Sequence, residues 1–69
     1  MEPKIKDLIN MLNSLKSDEL KDWCNTHRIK KSANGVSNKW VLKDNIFKFV
    51  VGRNPTPEED RTIMEEKMI

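Results

Sequence analysis

Between Trp23 and Lys43 the chain carries five cations, Arg28, Lys30, Lys31, Lys39 and Lys43, and no acid. Cations at that density, with no carboxylate among them, suit contact with phosphate, as along the backbone of a nucleic acid. Lysines scattered over a surface would read as solvated side chains. These converge on one connecting segment, RIKKSANGVSNKW (residues 28–40), and on the helix that follows it. Asn34-Gly35 marks a turn there, Ser37 can cap the next helix, and Lys39-Trp40 falls in its first turn. A helix N-terminus adds backbone N–H groups with no partner inside the helix, which favour an anion. Trp40 has two roles open to it: packing on the first helix, or facing a ligand.

Other chemistries find less support. Cys24 and His27 lie three apart and could pair, but no third group is placed to orient them for nucleophilic catalysis. A buried thiol beside a helix-end histidine is the expectation. One Cys and one His cannot close a tetrahedral metal site without carboxylates, and Asp18, Glu19 and Asp22 are accounted for as first-turn acids and a solvated face. The glycines are Gly35 and Gly52, so no phosphate-cradling glycine loop is present. Neither catalysis nor a cofactor or metal is expected.

The elements that must position these residues are helical. Sixty-nine residues, 36% apolar and 35% charged, fit one small domain over residues 1–69 whose apolar side chains fall in periodic groups. Pro3 suits a first helical turn, and Ile5, Leu8, Ile9, Leu12 and Leu15 form one stripe of a helix over about residues 3–15. Ser17, followed by Asp18 and Glu19, reads as the cap of a second helix with acids in its first turn. That helix carries Leu20, Trp23 and Cys24 on one side, a side His27 can extend, and ends near Arg28. A third, central helix runs through Val41, Leu42, Ile46, Phe49 and Val50, widened by Phe47 and Val51, and stops at Gly52. Thr56-Pro57-Glu58-Glu59 is a capping box opening a fourth helix over residues 57–68, with Ile63, Met64 and Met68. Met11 and Met64 should fill gaps in the core, with Met1 and Met68 at the ends. No alternating pattern marks a strand, so the fold class is an all-α bundle of four helices.

Net charge is +2, but residues 57–69 hold five acids against Arg61 and Lys67, which makes the surface dipolar. No apolar run approaches the ~20 residues of a membrane span, MEPKIKDL lacks the apolar region of a signal peptide, and a single cysteine suits a reducing compartment. An intracellular domain, monomeric in isolation and off the membrane, is expected, nuclear if the cell is eukaryotic.

SLKSDELKDWCNTHRIKKSANGVSNKWVLKDNI resembles the SAP motif, a helix–loop–helix DNA-binding module. Leu15 with Glu19-Leu20 matches its first part, Asn34-Gly35 its loop, and Lys39-Trp40-Val41-Leu42 with Ile46 its second helix. The resemblance covers residues 15–51, and the added first and fourth helices are similar to the four-helix form at the N-terminus of PIAS/Siz-type SUMO ligases. Two departures stand out: Gly35 and Lys39 are further apart than in the usual form, and Asn45 stands where a basic residue is common. The resemblance implies a chromatin-type role, with the loop and following helix start on double-stranded, often AT-rich, DNA. Residue by residue it places Asn34, Gly35, Ser37, Lys39, Trp40 and Lys43 there; the charge pattern adds Arg28, Lys30 and Lys31. The other reading of the same surface is a protein-interaction module of LEM or HeH type, or one whose basic loop and Trp40 engage an acidic partner.

Overall fold

In the computed structural model, which describes residues 2–32, 35 and 37–64, four helices follow in order: α1 (Pro3–Ser14), α2 (Ser17–Thr26), α3 (Lys39–Val51) and α4 (Pro57–Met64). No strand occurs among the described residues, and no helix among them is long and apolar enough to cross a membrane. The expected continuation of α4 to residue 68, and Met1 and Met68, lie outside the described residues.

Each helix begins for a local reason, and α3 also ends for one. Pro3 occupies the first position of α1, where its missing N–H costs nothing. The expected cap at Ser17 falls one residue earlier: Lys16 is the capping position, its own side chain offers no acceptor, and its backbone N–H donates to Glu19 Oε1 at 2.9 Å. Likewise Asn38, not Ser37, caps α3, its Oδ1 accepting from the Val41 amide at 3.0 Å. Gly52 ends α3 as expected, at φ 85° with its N–H on Lys48 O. The capping box of α4 is complete: Thr56 Oγ1 accepts from the Glu59 amide and Glu59 Oε1 from the Thr56 amide. Arg53 adds a two-pronged contact, Nη1 to Glu59 Oε1 at 2.7 Å and Nη2 to Oε2 at 2.9 Å.

The buried set joins all four helices: Ile9 and Leu12 from α1, Leu20 and Cys24 from α2, Leu42, Ile46 and Phe47 from α3, and Ile63 from α4. Helix α3 packs on each of the other three, and α1 also packs on α4, so α3 is the central helix. Ile5, Leu8, Met11, Leu15, Trp23, Ile29 and Val51 pack around this core. Three expectations for the core are corrected. Phe49 and Val50 are exposed: they belong to the last turn of α3, and Phe49 lies against the Trp23 and His27 rings rather than inside. Met64 is also exposed, on the last described turn of α4.

A polar linkage runs through this interior. Lys43 is completely buried, and its Nζ donates to Asn13 Oδ1 at 3.0 Å, while Asn13 Nδ2 donates to Thr62 O at 3.1 Å. Asn13 therefore connects α1 with both α3 and α4.

Candidate nucleic-acid interface

The cationic connection begins where α2 ends. Arg28 adopts the left-handed conformation at φ 56° that closes a helix, with its N–H on Asn25 O at 3.3 Å and the Ile29 N–H on Cys24 O at 2.8 Å. This is the paired arrangement that satisfies terminal helix carbonyls, with an arginine where glycine is the usual occupant. Ile29 turns inward against the core, which leaves Arg28 exposed.

One side chain from α3 and one from the connection itself then hold its backbone. Asn45 Nδ2, on α3, donates to Lys30 O at 2.8 Å, and Ser37 Oγ donates to Lys31 O at 2.9 Å. Lys30 and Lys31 are exposed, and Lys31 Nζ donates to Asn25 Oδ1 at 2.6 Å, back on α2. Gly35 takes φ 79°, with open space where a Cβ would stand, so its conformation and not crowding calls for glycine. Asn34 lies outside the described residues. Ser37 is exposed, with its hydroxyl donated to the Lys31 carbonyl. The Asn45 contact went unread in the sequence because a bond between residues so far apart in the chain leaves no local signature.

At the start of α3, Lys39 Nζ lies 5.2 Å from the Trp40 ring centroid, in cation–π range. Trp40 is 39% exposed, so it is not part of the buried core. Lys43 departs from the expectation. Its burial places it away from any surface that meets phosphate, because it precedes Ile46 by three residues and Phe47 by four and so shares their inward face. The structure thus gathers Arg28, Lys30, Lys31, Gly35, Ser37, Lys39 and Trp40 on the connection and the first turn of α3, and removes Lys43 from the set.

The Cys24–His27 pair does not form a site. Cys24 is buried, and burial pushes its thiol pKa up, opposed only in part by the charge of Lys31. The thiolate needed for nucleophilic attack is therefore disfavoured. The His27 ring instead stacks on Trp23, 3.9 Å between centroids. Among the described residues no three of His, Cys, Asp or Glu gather where they could hold a metal ion.

No family model, curated protein or solved structure matches this chain.

Proposed function

We propose that this chain is a SAP-like module that binds double-stranded DNA weakly and with little sequence preference, tethering a larger protein or assembly to it. Arg28, Lys30, Lys31 and Lys39 contact phosphates, while the first-turn amides of α3 and Trp40 border the same surface. The observation that carries this reading is the anchoring of the basic segment. The Lys30 and Lys31 carbonyls are held by Asn45 and Ser37, so their backbone is ordered before any anion arrives and less entropy is lost on binding. A merely solvated loop has no need of such restraint. The helix–loop–helix of α2 and α3, with α1 and α4 beside it, is also the arrangement that the SAP resemblance implies.

Non-specific contacts of this kind give dissociation constants of roughly 10⁻⁴ to 10⁻⁶ M. The test is an NMR titration with a short AT-rich duplex at several salt concentrations. Amide shifts should concentrate on residues 28–32 and 35–40, and log K should fall against log salt with a slope of about −3.6 for four phosphate contacts. Shifts centred on α1 and α4, or a slope near zero, overturn the proposal.

A further inference from the structure

A cleft of about 610 Å³ opens between the first turns of α3 and the end of α4, lined by Asn38, Trp40, Val41, Asp44, Asp60 and Met64. Its size falls within the range of about 300–1,000 Å³ typical of sites that enclose small ligands. Its apolar part comes from Trp40 and Met64, 39% and 56% exposed, together with Val41. Both large side chains suit a docking site, tryptophan as an anchor and methionine as an adaptable surface.

Among the described residues, the charged side chains that line the cleft are Asp44 and Asp60. Asp44 pairs with Lys48 at 3.2 Å, but that is an exposed contact of the kind worth little and readily exchanged. The Asp60 side chain has no hydrogen bond or ion pair among the described residues. An anionic occupant would be repelled here, so phosphate belongs to the basic connection and not to this cleft.

We infer that the cleft docks a short peptide segment bearing an apolar anchor flanked by lysine or arginine, the anchor entering between Trp40 and Met64 and the cations reaching Asp44 and Asp60. Trp40 borders both this cleft and the proposed DNA-facing surface, so the proposal is tested without DNA. The probe is acetyl-Lys-Lys-Leu-Lys-Lys-amide, titrated into the full chain and followed by amide shifts. Two comparison peptides carry glutamate in place of the lysines, or glycine in place of the leucine.

The lysine–leucine peptide should shift Trp40, Val41, Asp44, Asp60 and Met64 and saturate, and each comparison peptide should bind at least tenfold more weakly. The double variant Asp44→Asn, Asp60→Asn, checked for fold by circular dichroism, should lose at least tenfold in affinity. Should it fail to fold, Asp60→Asn alone and the salt dependence of the unmodified chain carry the same test, and affinity should drop in both. Equal binding of the lysine and glutamate peptides, equal binding of the glycine peptide, or absence of shifts at the cleft overturns the inference. So do concentration-dependent shifts there without any peptide, which would assign the cleft to a second copy of the chain.

Discussion

Lys43 Nζ donates to Asn13 Oδ1 across the interior, 3.0 Å apart, and the same asparagine donates from Nδ2 to Thr62 O. A lysine among Leu42, Ile46 and Phe47 would be costly without such acceptors, and the asparagine orients both of its ends by having both engaged. Lys43 is thereby a structural cation, whereas the helix's other early lysine, Lys39, is half-buried beside the Trp40 ring.

The first prediction separates these two lysines. Asn13→Ala should destabilise the fold by about 1–3 kcal/mol, since it removes the acceptor that Asn13 offers buried Lys43 and the donor it offers the Thr62 carbonyl. Lys43→Glu should destabilise it more, placing a carboxylate against the Asn13 oxygen. Lys43→Met, close in volume, should stay folded and bind duplex DNA within about twofold of the unaltered chain, a change of about 0.4 kcal/mol. Urea denaturation and a binding titration read the two quantities. A tenfold loss of DNA affinity in folded Lys43→Met would return Lys43 to the interface.

The second concerns acid. The Arg53 guanidinium and, after it, the Thr56 amide hold the Glu59 carboxyl at about 2, against an ordinary 4.5. A carboxyl whose folded value is depressed contributes stability that is present above its unfolded value and is lost as pH falls towards its folded one. That contribution should therefore fade between about pH 4.5 and pH 2. Glu59→Gln should lower stability at neutral pH by about 1.5–3 kcal/mol, the scale of a hydrogen bond to a charged group. Its melting temperature should converge with that of the unaltered chain as pH approaches 2. Parallel melting curves across that window would show that the pair does not stabilise the start of α4.

The third sets two helix ends against each other. Gly52 and Arg28 share the left-handed conformation, at φ 85° and 56°, but only glycine adopts it without a Cβ penalty of about 1–2 kcal/mol. Gly52→Ala should cost about 1 kcal/mol once the stiffer unfolded chain is counted. Arg28→Gly should be neutral or stabilising by up to about 1 kcal/mol for the converse reason. The same substitution should weaken duplex binding and make the salt slope shallower by about 0.9. A gain in stability with no loss of binding would remove Arg28 from the proposed interface.

What was legible in the sequence was local. The α4 capping box needs only Thr56, Pro57 and Glu59, so four residues suffice to read it, and Gly52 announces the end of α3 unaided. Ser37 and Asn38 are both good caps, and adjacent candidates leave the start uncertain by one residue until backbone geometry selects Asn38. Lys43 was misread because its charge outweighed its helical phase, although its spacing to Ile46 and Phe47 already pointed inward. Phe49 and Val50 expose a different limit: periodicity marks a face of a helix but not how much of its length the neighbouring helices cover. The anchoring of Lys30 by Asn45 and the joining of three helices by Asn13 link residues distant in the chain. No pattern within a single element carries such contacts.

The last prediction asks whether the proposed interface is localised. Lys39 opens α3, where a cation opposes the helix dipole by about 0.3–1 kcal/mol, while its position over Trp40 returns about 0.5–1 kcal/mol at an exposed site. Lys39→Glu removes the unfavourable cation and adds a favourable acid, a gain of about 0.6–2 kcal/mol, and forfeits about 0.5–1 kcal/mol with the ring contact. It should therefore leave the fold intact or stabilise it by up to about 1.5 kcal/mol. Binding is another matter, because an attractive phosphate contact becomes a repulsive one; affinity for AT-rich duplex should fall at least tenfold, about 1.4 kcal/mol. Lys4→Glu makes the same change in net charge at the opposite end of the molecule. Arg53, just beyond the C-terminal end of α3, feels the charge of Glu2, so the start of α1 lies near that end. The thirteen residues of α3 separate it from Lys39 by about 20 Å, some two Debye lengths at 0.1 M salt. Lys4→Glu should therefore weaken binding by less than threefold, about 0.6 kcal/mol. Equal losses in the two variants would mean that only bulk charge draws DNA to this chain. No loss in Lys39→Glu would take the start of α3 out of the interface.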